Sequence, residues 1–378
     1  MSRRAPNGMG SVRQRSDGRW EGRYTAPDGR QRSVYAKSEK AVTARLRAVQ
    51  HEVDAGSWRE PSKMTVGEWL DIWLSDYQSH TSERTVSKYR CTVNRHFKPH
   101  IGMVKIAALL PLHIRRMITA MSKTLSASSI DNYMRILRAA LNSAIEAGLR
   151  TDNPAARVKP PRPDTKRFDV IDRMEIPAFI TAARSTPYEY ELIVMLLTGL
   201  RSGELRGLKW EDIDFDAATM HVQRQLQPKQ KALQRVTPPK YGEDRLLHLA
   251  PEVIDALKAQ RRKQAEQRLA AGIDWREDEI SAGLVFRQPC GAPHTDKSIY
   301  RAVKAAGAAI GKPDIHPHDL RHSYAIAALR SGANVKTVQY NLGHKTAKMT
   351  LDVYAAYTED AGKADAQKLS DYLKSTQK

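Results

Sequence analysis

The residues best suited to chemistry sit in four short boxes of the second half of the chain. "LLTGLRSGELRGLKWEDIDF" carries Arg201 between a helix that Gly199 ends and a new start at Ser202. "TPPKYGEDRLLHL" sets Lys240 beside a tight turn between two strand-like runs. "HPHDLRHSYAIAALRSG" carries His318 and Arg321, three apart and so on one helix face. "NLGHKTAKMTLDVYAAY" carries His344 and, ten positions on, Tyr354. Each residue alone has an ordinary explanation: a solvated arginine, a satisfied structural histidine, a core tyrosine. Together they offer permanently charged guanidiniums for phosphate oxygens, an ammonium that can give a proton, imidazoles and a phenol. A free phenol ionises near pH 10, so it becomes a nucleophile at neutral pH only among cations.

The elements that must hold these groups follow from composition and pattern. The chain has 378 residues, 41% of them hydrophobic, which predicts folded structure in two or three domains. Its formal net charge of +20 favours a polyanion partner, most simply nucleic acid. Residues 1–60 carry 13 Lys+Arg against 7 Asp+Glu, and residues 61–168 carry 18 against 8. The remaining 31 against 27 make a balanced body. Cys91 and Cys290 are far apart and form neither a disulfide framework nor a metal cluster. No apolar region follows the N-terminal arginines and no run of about 18 apolar residues exists, so neither a signal peptide nor a membrane span is expected.

Residues 11–36 read as a small antiparallel sheet turned at Asp17-Gly18 and Asp28-Gly29, followed by a helix from the N-cap Ser38 to a stop at Gly56. After the linker "GSWREPSKMTV" the pattern turns helical. Thr65 caps a helix whose stripe is Val66, Trp69, Leu70, Trp73 and Leu74. "SERTVSKYRCTVNRHF", "PLHIRRMITAMS" and "SASSIDNYMRILRAALNSAIEAGL" supply three more, the last with Ile130, Tyr133, Met134, Leu137, Leu141 and Ile145 on one face. Arg84, Lys88, Arg95, Arg135 and Arg138 fall on the other faces, where they suit a phosphate backbone. The proline-rich "NPAARVKPPRPDTKRFDV" reads as an extended, exposed linker, and a third region begins near Phe168.

In this order the four boxes resemble the tyrosine recombinases, the phage-integrase family. The helical bundle resembles that family's core-binding domain, and the sheet-and-helix module resembles the arm-binding domain of many integrases. The resemblance implies a multidomain fold: an α+β arm-type DNA-binding module (1–60), an all-α core-binding bundle (61–163), and a mainly α catalytic domain with a small antiparallel sheet (168–378). It implies Arg201, Lys240, His318, Arg321 and His344 as catalytic residues, Glu204 as the acid supporting Arg201, and Tyr354 as the nucleophile. The expected activity is site-specific recombination of double-stranded DNA through a 3′-phosphotyrosyl bond, serving integration and excision of a phage or other mobile element.

The chemistry of such residues is self-consistent. Two guanidiniums match the equatorial oxygens of a five-coordinate phosphorus. Lys240 is the candidate acid for the leaving 5′-oxygen, His318 a base or orienting group, and His344 a phosphate hydrogen-bond donor. The covalent intermediate conserves the bond energy, so no ATP is expected; the guanidiniums do a metal's work and no carboxylate cluster is seen, so no metal or other cofactor is expected. Two neighbours compete for roles: Tyr357 lies three residues beyond Tyr354, and Lys229 and Lys231 lie near Lys240. A resolvase or invertase of the same family is one alternative. A non-catalytic DNA-binding regulator is another, because "IAALRSGANVKTVQYNLG" also reads as a helix-turn-helix about Gly332. The expected partners are core-type and arm-type DNA, a homotetramer on synapsed sites, and, as accessories, an excisionase and a host DNA-bending protein. The expected place is the cytoplasm of a bacterial host, at the nucleoid.

Overall fold

The computed structural model describes residues 10–56, 62–77, 79, 81–162, 169–227, 235–239 and 244–355, with residues 77 and 353–355 described by their backbone alone. The chain divides into two compact units, Met1–Thr165 and Lys166–Lys378.

The first unit holds two separate hydrophobic clusters. Its N-terminal part is the antiparallel sheet β1 (Ser11–Gln14), β2 (Trp20–Thr25) and β3 (Gln31–Ala36), in that order. At each turn an aspartate accepts from the backbone N–H two residues on, Asp17 from Arg19 and Asp28 from Arg30, both at 3.1 Å. Helix α1 (Glu39–Asp54) is capped by Ser38 and covers the sheet with Val42 and Leu46. On β2, buried Glu21 accepts from Arg13 (2.6 Å) and Ser33 (2.8 Å).

The bundle comprises α2 (Val66–Tyr77), α3 (Glu83–Thr92), α4 (Lys98–Ile101), α5 (Pro111–Met121) and α6 (Ala127–Glu146). The predicted α2 stripe is buried throughout, and Trp69 Nε1 donates to the Ala140 carbonyl of α6 at 2.8 Å. Thr65 and Glu68 form a reciprocal cap at its start. The second predicted helix is not one regular helix, because a π-helical turn, Val93–Phe97, joins α3 to α4. Pro99 stands two residues after its end; it has no N–H for the usual bond and its ring crowds the carbonyl four residues back.

Arg138 corrects the sequence reading. It does not stand free toward a phosphate: Nε donates to the Ala155 carbonyl (3.1 Å) and Nη2 to that of Val158 (2.9 Å). Ala155 and Val158 are themselves buried in the bundle core, so the first part of the proline-rich linker is docked, not exposed. Arg84, Lys88, Arg95 and Arg135 are exposed as expected.

The second unit is built on α8 (Glu189–Thr198), which is buried on nearly every side and packs against α7 (Ile176–Arg184). It also packs against α9 (Ser202–Gly207), α10 (Pro251–Ala271), α11 (Asp296–Ala309) and α12 (Pro317–Arg330). A helix apolar all round belongs in the centre of a core. Its one buried acid, Glu191, meets His294 Nε2 at 2.9 Å. The sheet comes in two pieces. One is β4 (Ile213–Asp214), β5 (Thr219–Val222) and β8 (Arg245–His248); the other is β6 (Gln225–Leu226) with β7 (Val236–Thr237); all pairs are antiparallel. The chain ends its described part with α13 (Val335–Leu342) and α14 (Ala347–Ala355), which pack on α12 and on each other. Among the described residues no helix is long and apolar enough to cross a membrane.

Candidate active site

Gly199 ends α8 in the left-handed region, φ +67°. A side chain would be strained there, and its Cβ would lie 2.6 Å from the Tyr324 ring and 2.8 Å from Leu342. The sharp exit makes Arg201 the N-cap of α9. Its backbone N–H donates to Glu204 Oε2 (3.0 Å), Nη1 to Glu204 Oε1 (2.7 Å) and Nη2 to the Gly343 carbonyl (2.9 Å). Glu204 lies in the first turn of α9, where the helix dipole favours an anion.

Glu204 is fully buried and shared by a second cation. Arg245, at the start of β8, donates Nη2 to Oε2 (2.7 Å) and Nη1 to Oε1 (3.2 Å). Its Nε donates to the Asn341 carbonyl at 2.7 Å. Burial works to raise the Glu204 carboxyl, but the hydrogen bonds and charge of Arg245, with the charge of Arg201, hold it at about 2.

Arg321, on α12, is 1% exposed. Nη1 donates to the Gly199 carbonyl (2.8 Å) and Nη2 to the Leu342 carbonyl, while Nε meets no hydrogen-bond acceptor among the described residues. Burial, and then the charge of Arg201, draw this guanidinium down to about 9, still protonated at neutral pH.

Three consecutive carbonyls at the end of α13 therefore each accept from a different arginine: Asn341 from Arg245, Leu342 from Arg321, Gly343 from Arg201. The last carbonyls of a helix lack intrahelical donors and form its negative pole, and here guanidiniums cap them. Gly343 turns the chain at φ +57°, and a Cβ there would lie 3.1 Å from Arg245 Nη1. Three cations surround one carboxylate, so the cluster holds excess positive charge beneath the surface.

His344 comes next. It is buried, with Nδ1 3.0 Å from the hydroxyl of Thr350 on α14. Burial first, then the charges of Arg321 and Arg201, push its imidazole down to about 3, so it is neutral at working pH. A cleft of about 280 Å³ is lined by Arg245, Lys336, Gly343 and His344, among others. His318 stays exposed on the first turn of α12, its ring 4.6 Å edge-on from that of His322. Burial and the His318 charge push His322 to about 4.

The structure thus gathers Arg201, Glu204, Arg321 and His344 into one cluster, with His318 exposed at the start of the same helix as Arg321. Tyr354 falls in the last turn of α14, the helix that begins three residues after His344 and carries Thr350. Lys240, Lys229, Lys231 and Tyr357 lie outside the described residues. The helix-turn-helix of the sequence is present as α12 and α13 about Gly332, but α13 spends its C-terminal carbonyls on the arginines. Sequence reasoning passed over Arg245. Its signal was the strand "RLLH", in which Arg245 shares the buried side with Leu247; an arginine in phase with a core leucine requires a buried acceptor.

Residues 169–360 match the phage integrase family, and residues 65–122 match the phage integrase N-terminal SAM-like domain. The chain is 27% identical over 367 residues to a putative prophage phiRv2 integrase of Mycobacterium tuberculosis, covering 91% of this chain and 90% of that one. It is 30% identical over 309 residues to a tyrosine recombinase of Thermosipho africanus, covering 78% and 97%. The Tn1549 transposon integrase, solved with a circular intermediate DNA, superposes with a TM-score of 0.70 at 22% identity, over 81% of this chain and 100% of that one. The chain belongs to the phage integrase family of tyrosine recombinases, enzymes that recombine DNA at specific sites.

Proposed function

We propose that this recombinase is the integrase of a phage or other mobile element, and that the arginine cluster at the end of α13 is its phosphate site. The observation that carries the reading is the excess positive charge of that cluster, set immediately before the helix that bears Tyr354. An anion with several oxygens relieves such a charge, and a phosphodiester supplies it.

In the proposed reaction the Tyr354 oxygen attacks phosphorus, its proton passing to a base for which exposed His318 is the candidate. The P–O5′ bond breaks as the tyrosyl O–P bond forms, and Lys240 gives the 5′-oxygen its proton. Arg201 and Arg321 hold the non-bridging oxygens, with Glu204 aiming Arg201. Neutral His344, in the tautomer whose Nδ1 accepts from the Thr350 hydroxyl, would have Nε2–H to donate to the same oxygens. Attack by a 5′-hydroxyl from another duplex reverses the steps and leaves recombined strands. No group here changes oxidation state, and the phosphotyrosyl bond carries the energy for rejoining.

The three-part organisation supports integration over simple resolution. Residues 61–163 would grip the core site, residues 168–378 would cut it, and residues 1–60 would hold a second, arm-type sequence. The N-terminal sheet and its first turn carry Arg13, Arg19 and Arg23, 55%, 63% and 41% exposed and paired to Glu21 or Asp17, and such exposed arginines suit a DNA surface. Four strands are cut when two duplexes recombine, one tyrosine each, so a homotetramer on synapsed sites is the working assembly. We place that assembly on bacterial DNA at the nucleoid. The test is integration between two duplexes bearing the attachment sites, by the full chain and by a chain lacking residues 1–60. The deletion is expected to cut an isolated core site and to lose intermolecular integration, since the arm site no longer raises the local concentration of the second duplex. Undiminished integration by the deletion would favour a resolvase or invertase instead.

A further inference from the structure

The proposed reaction gives Arg245 nothing to do, yet Arg245 is buried, 3% exposed. All three of its guanidinium nitrogens donate inside the cluster, two to Glu204 and one to the Asn341 carbonyl. A guanidinium so committed is poorly placed to grip a substrate oxygen. Arg201, by contrast, keeps 18% of its side chain exposed, and Arg321, though buried, has a nitrogen, Nε, that meets no acceptor among the described residues.

The charge balance gives Arg245 a purpose. Glu204 is a buried carboxylate and requires a cation. If Arg201 were its only partner, Glu204 and the substrate phosphate would compete for one guanidinium. We propose that Arg245 is a positioning residue for recombination: it gives Glu204 a cation of its own, so that Glu204 can aim Arg201 while the charge of Arg201 remains for the phosphate. Arg245 also ties β8, α9 and the end of α13 together, across 41 and 96 residues of sequence. It thereby fixes the height of Gly343 and His344. The inference rests on the reading of Arg201 as a phosphate ligand and Tyr354 as the nucleophile.

The test is single-turnover formation of the protein–DNA adduct by the full chain on nicked core-site duplexes, from pH 5 to pH 8. The variants are Arg245→Met, Arg245→Lys and the double variant Arg245→Met with Glu204→Gln, with Tyr354→Phe as control. The charged groups facing Glu204 are Arg201 beside its own helix, Arg245 from β8 and Arg321 from α12. With Arg245 present Glu204 stays ionised across this range. In Arg245→Met the buried carboxyl has lost a cation, its pKa rises, and its protonation releases Arg201. The adduct rate then gains an acid limb, falling about tenfold per pH unit. In the double variant the limb is absent. Arg245→Lys, which keeps the charge and loses the bidentate fork, is expected to bind core-site DNA as the wild type does, to keep most of the adduct rate at pH 8 and to show no acid limb.

Arg245→Met losing the same fraction of activity at every pH, or a limb that persists in the double variant, would reduce Arg245 to a structural strut. Should Arg245→Met not fold, Arg245→Lys decides: a loss of rate as large at pH 8 as at pH 5, despite the charge that Lys keeps, overturns the proposal. An adduct formed by Tyr354→Phe would instead overturn the reading on which the proposal rests.

Discussion

Replacing Glu204 by Gln keeps the shape of the side chain and removes the negative charge that Arg201 and Arg245 share beside Arg321. The size of the effect follows from the carboxyl's position at about 2, against an ordinary value of 4.5. The fold therefore favours the ionised form, by about 3 kcal/mol at 1.36 kcal/mol per pKa unit. Because the folded value lies below the unfolded one, that stabilisation is complete above pH 4.5 and is lost as the pH falls toward 2. Breaking a buried ion pair by removing one partner costs on the order of 3–5 kcal/mol, which agrees. The assay is urea unfolding of the full chain at several pH values between 7 and 3.5, following the transition of the second unit. Glu204→Gln is expected to lower its stability by about 3 kcal/mol at pH 7, with the gap to wild type narrowing only below about pH 4.5. A loss under about 1 kcal/mol at pH 7, or a gap that narrows between pH 7 and 5, would refute the claim that this carboxylate anchors the cluster as an anion.

Three further outcomes follow from the same geometry. Gly199→Ala forces a Cβ into a left-handed position 2.6 Å from Tyr324, and should destabilise the second unit by about 2–4 kcal/mol. It also moves the carbonyl that holds Arg321, so adduct formation should fall more than DNA binding, as gel shift and denaturing gel would show together. His344 has a folded pKa below its ordinary value, so the unfolded chain binds the extra proton between about pH 3 and 6.5, and stability is lost as the pH falls through that window. His344→Gln should flatten that decline in a pH series of unfolding curves. Lys240→Ala should slow cleavage of an ordinary phosphodiester by roughly 10²–10⁴ and recover most of the rate on a substrate whose 5′-bridging oxygen is sulfur, a leaving group that needs no proton.

Local rules made the first unit legible. Asp-Gly pairs fix hairpins because the aspartate accepts from the N–H two residues on, and Ser38, Thr65 and Ser126 mark helix starts because their hydroxyls accept orphan N–H groups. Where two rules conflicted, the sequence misled. Pro99 inserted a π turn into an otherwise periodic helix, and Arg138 turned inward to carbonyls that only the docked linker brings near. The site residues were legible as a motif, not as a geometry. Nothing in the spacing of Arg201, Arg321 and His344 says that three successive carbonyls at the end of α13 hold the arginines, because that depends on packing across 21, 96 and 142 residues of sequence. Nor does spacing show that His318, three residues from Arg321, stays exposed while Arg321 is buried. Arg245 was hidden for the same reason: its partners Glu204 and Asn341 are 41 and 96 residues away.

The most direct test of the central claim is to trap and map the covalent bond. A duplex carrying the element's core site, nicked so that the cut strand diffuses away, is incubated with wild-type protein and with Tyr354→Phe. The products are run on a denaturing gel, and the adduct is digested for peptide mass. The account predicts an adduct with the wild type alone, a 3′-phosphate of the DNA linked to the peptide containing Tyr354, and undiminished DNA binding by Tyr354→Phe. An adduct that survives Tyr354→Phe, mapping to Tyr357 or elsewhere, would contradict it, as would tight core-site binding by the wild type without any adduct.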